Sequence, residues 1–426
     1  MLSTLRNAWK VPELRKRLLY TIFLIAIFRM GNHIPVPGID TARLAEFAGQ
    51  SGNLINFYDL ISGGAFSSFS VFALGVIPYI NASIIMQLLT IAIPQLEQLS
   101  KEGEEGRRKI QNMTRYAAIP IGVLQAYGAY LLIRSQNAIV DTSMVNVVMI
   151  VVTLIAASTF LMWMGDMITV KGLGNGVSLI IFVNILSKFP TTIYQISALK
   201  KGKYVGPVEI AIFILVILAL LIAVIGMSLA ERRIPVQYAG KAIGNKVFKG
   251  QSSHIPISIT GSAVIAIIFA MSVMEFPYTI GQFWPASWFN KVIVNGVYSP
   301  FKRNSIMYVV LYAILTIFFT WFYTQVTFKP EEMAENMGKS AGFIPGVRPG
   351  NATAKYLERI LDRISVIGGV FAAVIAIFPI ILATYTSFQG ISFGGTMLLI
   401  MVGVSLDTLR QIESQLVMRH YQGFLK

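Results

Sequence analysis

Residues 54–94 form one nearly unbroken apolar stretch, LINFYDLISGGAFSSFSVFALGVIPYINASIIMQLLTIAIP. As a single helix it would extend roughly 60 Å at about 1.5 Å per residue, about twice the hydrocarbon thickness of a bilayer. No polar turn divides it into two crossings. The interruption is Ser62-Gly63-Gly64, with Asn56, Asp59, Ser67, Ser68 and Ser70 clustered around it. This pattern predicts a short half-helix, a bend, and then a full span starting near Phe69. Irregular backbone at membrane depth is tolerated only where protein encloses it or where it lines a watery cavity. The pattern therefore implies an internal cavity with a short, partly polar element lodged in it.

The same reading along the rest of the chain gives ten candidate spans, near 18–34, 69–94, 112–134, 146–168, 176–198, 208–229, 256–278, 305–326, 363–386 and 391–411. The expected fold is an all-α polytopic membrane protein. An even number of spans places both termini on one side. Lys and Arg concentrate in the segments that share that side, which the positive-inside rule makes cytoplasmic. One loop runs against this trend, with Lys188, Lys200, Lys201 and Lys203 on the outer side. Two cytoplasmic loops are large. Residues 230–255 carry Arg232, Arg233, Lys241, Lys246 and Lys249 against one acid, Glu231. Residues 327–362 contain GFIPGVRPG at 342–350, which isolates Arg348 in a stiff Gly- and Pro-rich turn. Basic loops beside spans can merely fix topology or touch anionic lipid headgroups. The length of these two and the framed arginine favour a protein partner.

Composition agrees with the spans: 55% of residues are hydrophobic and 13% charged, and the mean hydropathy is +0.65. Such a profile excludes a soluble enzyme of this length. Arg6, Lys10, Arg15, Lys16 and Arg17 precede the first span with no small-residue cleavage site, so no cleavable signal is expected there. The chain has no cysteine, and its three histidines, His33, His254 and His420, have no metal-pair spacing. There is no phosphate-binding Walker sequence, and Gly172-Leu173-Gly174-Asn175-Gly176 reads as a turn between helices. Asp166, Glu275 and Asp407 fall toward span ends, whereas a proton-coupled carrier would want a carboxylate near mid-bilayer. Asn81, Gln87 and Asn184 lie within spans, where interhelical hydrogen bonding accounts for them. No cofactor is expected. Two classes stay open on the residues alone: a channel with a broken helix in its cavity, and a secondary transporter whose broken helices bind a small substrate.

Several segments go further: RMGNHIPVPGID (29–40), ISGGAFSSFSVFALGVIPYINASIIMQLL (61–89), EGEEGRRKI (102–110), MWMGDMITVKGLGNGVSLIIF (162–182), FIPGVRPGNATAKYLERIL (343–361) and FGGTMLLI (393–400). In that order and over essentially the whole length, the chain resembles the SecY family of protein-translocation channels.

The resemblance implies two pseudo-symmetric five-span halves, 18–198 and 199–411, around an hourglass pore. A cytoplasmic amphipathic segment, 1–17, would precede them and a cytoplasmic tail, 412–426, would follow. A plug at about 52–66, with Asn56, Asp59, Ser62, Gly63 and Gly64, would close the outer funnel. The pore ring falls on Val76, Ile80, Val177, Ile181, Ile268 and Ile400. A lateral gate between the second and seventh spans would carry Gln87 and Thr260. At the seventh span the chain departs from the family pattern: Thr260 replaces the usual amide and Ala266 the kinking proline. Docking of the SecA ATPase or the ribosome is implied at Arg348, Arg232, Arg233, Lys241 and Lys246, with SecE and SecG as membrane partners. Signal-bearing preproteins would be the clients, phospholipid the surroundings, and a bacterial plasma membrane the location. No energy source is expected in the chain itself, and no sequence-specific nucleic-acid contact.

Overall fold

The computed structural model describes residues 6, 8–40, 62–66, 68–135, 138–139, 141–201, 205–238, 242–243, 246–247, 252–283, 287–294, 296, 299–302, 305–386 and 395–423. Helices dominate. In chain order they are α1 (Pro12–Gly31), α2 (Ile77–Ala92), α3 (Pro94–Lys101), α4 (Glu104–Ser135), α5 (Met144–Lys171), α6 (Gly176–Ser187), α7 (Phe189–Lys201) and α8 (Pro207–Leu229). After a small sheet come α9 (Ala263–Phe283), α10 (Ile306–Phe328), α11 (Pro330–Lys339), α12 (Asn351–Tyr385) and α13 (Gly395–Gly423).

Each of the ten expected spans falls on one or more of these helices. Among the described residues, 7 helical segments are long and apolar enough to cross a membrane, and 8 if the bent pair α2–α3 is one span. The other two expected spans are α1, which carries Arg15, Lys16, Arg17 and Arg29, and α9, whose apolar part is the shorter Ala263–Pro277. The span expected at 176–198 is two abutting helices, α6 and α7, which meet at Lys188.

Local sequence accounts for most helix starts. Pro12, Pro94, Pro207 and Pro330 sit in first turns, where the missing N–H costs nothing. The Ser143 hydroxyl accepts from the Asn146 N–H, and Asn175 Oδ1 accepts from the Ser178 N–H at 3.1 Å. The Asn175 cap and the left-handed Gly174 (φ +81°) make the 172–175 segment a helix–helix turn, as its sequence suggested.

The second span differs from expectation. It was expected to start near Phe69, but α2 begins at Ile77. Phe69 (φ 39°) and Gly75 (φ 55°) adopt left-handed backbone that no helix can contain. The 16 residues of α2 cover only about 24 Å. The rest of the crossing is irregular chain enclosed by protein: Ala65, Phe66, Phe69, Phe72, Ala73 and Leu74 are all buried. The segment after α1 is stitched to this chain, with Val36 N–H donating to the Phe69 carbonyl at 3.1 Å and Val71 N–H to that of Ile34 at 2.9 Å. Enclosure of this kind is what irregular backbone needs at membrane depth.

A second difference lies in the loops. Residues read as a basic loop form β1 (Glu231–Tyr238), the short pair β2 (Ala242–Ile243) and β3 (Lys246–Val247), and β4 (Ser252–Ser258). β1 pairs antiparallel with β4, Ile234 opposite Ile255, and with β5 (Gly342–Phe343), Gln237 opposite Phe343. The all-α expectation thus holds for the spans but not for this appendage. α12, at 35 residues, is about 53 Å long and extends well beyond a bilayer. Its first turns carry Leu357, Leu361 and Ile364 onto Ile234, Val236, Ile257 and Ile344. Each such burial contributes about 1.5–3 kcal/mol. The two large loops are therefore one folded unit.

Candidate functional site: an apolar neck and the broken segment beside it

The six ring positions come from four parts of the chain. Val76 caps α2 and Ile80 lies on its first turn; Val177 and Ile181 are one turn apart on α6; Ile268 is on α9 and Ile400 on α13. The fold brings all six into one apolar cluster. Val76, Ile181 and Ile400 are buried in it, and Ile80, Val177 and Ile268 pack against it. Gly165 on α5 makes room for this convergence: a Cβ there would meet Val177 Cγ2 at 3.0 Å. Branched aliphatic side chains at a narrow neck exclude water and ions by dewetting, and can part around a passing chain.

The described part of the broken stretch adjoins this cluster, since Ala65 and Phe72 are members of it. Ser62-Gly63-Gly64 turns here with φ +68° at Gly63 and +97° at Gly64. The Ser62 hydroxyl, itself buried, accepts from the Phe66 N–H at 3.1 Å. The Gly63 carbonyl accepts from the Ser187 hydroxyl at 3.3 Å, and a Cβ on Gly63 would lie 2.5 Å from Asn184 Oδ1. Asn184 is also reached by Asn32 Nδ2 at 3.5 Å. The broken segment is thus seated on one polar face of α6. Asn56 and Asp59 lie outside the described residues.

Asn32 and Ser187 were not singled out in the sequence. Their signal was faint: Asn32 lies within the first resembling segment, and Ser187 is one turn from Asn184. Asn184 itself was read as an interhelical hydrogen-bonding group, which is how it serves here.

The two residues expected at a lateral gate bond to different partners. Gln87 on α2 donates to the Ser83 hydroxyl of its own helix at 3.4 Å. Thr260 lies in the turn before α9 rather than on the span, because β4 persists to Ser258; its hydroxyl donates to the Met227 carbonyl of α8 at 3.4 Å. The two helices meet through apolar groups, Ile80 and Ile84 of α2 joining the cluster of Ala263, Ile267 and Ala270. Although Ala266 stands where the family kinks, α9 carries a proline lower down, Pro277.

Of the docking candidates, Arg232, Arg233 and Arg348 lie in the folded appendage. Arg232 and Arg233 are exposed on β1. Arg348 is exposed on a short turn whose root is buried: Val347 N–H donates to the Ile344 carbonyl at 3.1 Å, with Pro345 and the left-handed Gly346 (φ +81°) between. That is type II turn chemistry. Ile344 and Val347 anchor the turn in the sheet's core, and the Arg348 carbonyl accepts from the Thr353 hydroxyl at 2.9 Å. Lys241 lies outside the described residues, and only the backbone of Lys246, in β3, is described. Among the described residues no group of His, Cys, Asp and Glu could hold a metal ion.

A family model described as SecY matches residues 70–409. Over 447 aligned residues the chain is 40% identical to the protein translocase subunit SecY of Streptomyces coelicolor, with 100% of both chains covered. It is 41% identical over 434 residues to the protein translocase subunit SecY of Aquifex aeolicus, again with 100% of both covered. A solved structure described as that of a protein conducting channel superposes with a TM-score of 0.67 at 18% identity, covering 94% of this chain and 92% of that one. At that identity the structural likeness speaks for the fold.

Proposed function

The chain belongs to the SecY family, and from that membership we propose that it is the protein-conducting channel of a bacterial plasma membrane. It passes unfolded preproteins across the membrane and releases transmembrane segments sideways into lipid. The observation that carries this reading is the convergence of Val76, Ile80, Val177, Ile181, Ile268 and Ile400 from four separate parts of the chain on one apolar neck. Ser62, Gly63 and Gly64, seated on α6 next to that neck, belong to the plug, with Asn56 and Asp59 in its remainder. The gate opens between α2 and α9: Gln87 supplies the polar contact on α2, and Thr260 ties the entry of α9 to α8.

Both termini face the cytoplasm, as the distribution of Lys and Arg supports. The appendage then also faces the cytoplasm. Arg348, Arg232 and Arg233, with Lys241 and Lys246 near them in sequence, form the docking face for the SecA ATPase or a translating ribosome, which supplies the energy. SecE and SecG complete the complex in the membrane, in contact with phospholipid.

The test is the paired substitution Ile80→Asn with Ile400→Asn in the complete complex reconstituted in liposomes. Polar groups at the neck favour wetting, so an ion leak with continued preprotein transport is expected. Loss of the protein without any leak would mean that these are ordinary packing positions, destabilised by buried amides.

A further inference from the structure

A cleft of about 340 Å³ separates α3 from the corner between α10 and α11, with α12 as its floor. Glu97 and Lys101 line it from α3; Lys329, Glu331 and Glu332 line it from the corner. We infer that these five side chains form a charge clasp that holds the two halves of the chain together beside the gate, and that opening the gate requires releasing it. This inference rests on the channel reading above.

Three features support it. First, α3 is mechanically tied to the gate helix: only Ile93 separates it from α2, and the two axes bend by 100°. None of its residues is fully buried, and what it rests on besides α2 is α4 of the same half, where the Leu99 carbonyl closes on Gly106. Movement of α2 away from α9 must carry α3 across the cleft. Second, the opposite wall is stiff. Lys329 holds a left-handed turn (φ 39°) directly before Pro330, and α10 is bonded to α12 through Trp321 Nε1 and Gln325 Nε2, which both donate to Asp362 Oδ1, at 2.7 and 2.6 Å.

Third, the charges on the two walls are complementary. On α3, Lys101 Nζ donates to Glu97 Oε1 at 2.6 Å; on the corner, Lys329 Nζ donates to Glu332 Oε1 at 2.8 Å. Across the gap, unlike charges face each other. The Glu97 carboxyl is held below its usual range first by the hydrogen bond and charge of Lys101, and also by Lys329. The Lys101 ammonium is held above its usual range first by Glu97, and also by Glu332 and Glu331 on the far wall. All of these heads are exposed to water. A gate contact of this kind is weak enough to release, whereas a buried pair would resist separation strongly.

The experiment uses the full complex in proteoliposomes and a preprotein with a weakened signal sequence. Lys101→Glu and Glu332→Lys each place like charges across the cleft. Each alone is expected to raise transport of this substrate by about two- to fivefold, the range that exposed charge pairs support. Combined, they restore attraction across the cleft and should bring transport back to within about twofold of the unmodified protein. Glu335→Lys, on α11 but outside the cleft, should change nothing. Raising the salt to about 1 M should abolish the difference between variants, since screening then acts within about 3 Å.

Two unaffected single variants, or a combination whose effects simply add, would overturn the clasp and leave only pairs within each helix. A variant that fails to assemble would overturn it too, by making these side chains structural. If the unmodified complex does not transport a normal preprotein at all, it is the channel reading that fails; if it does and the swap fails to restore, only the clasp falls.

Discussion

Gly63 is the most exacting position of the broken segment, and replacing it with alanine isolates what seats that segment on α6. An L-residue in left-handed backbone costs about 1–2 kcal/mol, and Gly63 sits at φ +68°. Space adds a second term. The new Cβ would lie 2.5 Å from Asn184 Oδ1 and 2.8 Å from Asn184 Cα. The amide could rotate aside, but the Cα belongs to α6 and cannot move without the helix. Overpacking of this kind costs about 1–3 kcal/mol. Gly64 provides the internal control. It is left-handed too, at φ +97°, yet a Cβ there would meet nothing nearer than Lys188 Nζ at 3.8 Å. Gly64→Ala should therefore incur the backbone term alone. The difference, about 1–3 kcal/mol, converts to roughly five- to hundredfold in the balance between the seated and unseated segment, at about 1.4 kcal/mol per tenfold. The assay is resting conductance in planar bilayers with no substrate. Gly63→Ala should leak, and Gly64→Ala should leak far less. Equal leakage from the two, or a Gly63→Ala channel as quiet as the parent, would refute the claim that contact with α6 holds this segment in place.

Two further outcomes follow from the proposed orientation of the folded appendage. Arg348→Glu should leave span insertion and assembly intact while lowering SecA-driven transport in liposomes by at least about tenfold, with Arg348→Lys intermediate because it keeps the charge but loses the planar fork; a normal rate for Arg348→Glu would reduce Arg348 to a topology charge. Ser340→Cys, in a chain otherwise free of cysteine, should react with an impermeant thiol reagent only after cells are opened, and labelling of intact cells would invert the proposed orientation.

The spans were legible because their signal is local. A run of apolar residues long enough to cross a bilayer needs no knowledge of its neighbours, so even the charged α1 and the short apolar part of α9 were found. The break at Ser62-Gly63-Gly64 was legible for the same reason. Its length was not: Phe69 and Ser70 read as apolar span, yet they pair with the chain after α1, and that pairing holds Phe69 in a left-handed turn. The appendage was hidden differently. Ile234, Pro235 and Val236 alternate in and out as a strand requires, but the run is short and set among charges. Its partners, Ile344 and Leu357, lie in a loop that looked separate.

The convergence of the six expected ring positions was the least legible of all. An isoleucine on one face of a span looks the same whether it packs against a neighbour or closes a pore, and Ile80 packs against both the cluster of the six expected ring positions and the α9 cluster. Only convergence distinguishes the two roles, and convergence depends on how α2, α6, α9 and α13 cross, which no single window of sequence contains. Ile80 also links that cluster to the contact between α2 and α9. Its side chain is one turn from Ile84, which packs against α9. On the proposed channel reading, a displacement of α2 away from α9 would withdraw Ile80 from that cluster in the same movement. On that reading, widening the pore and parting the gate are then one motion.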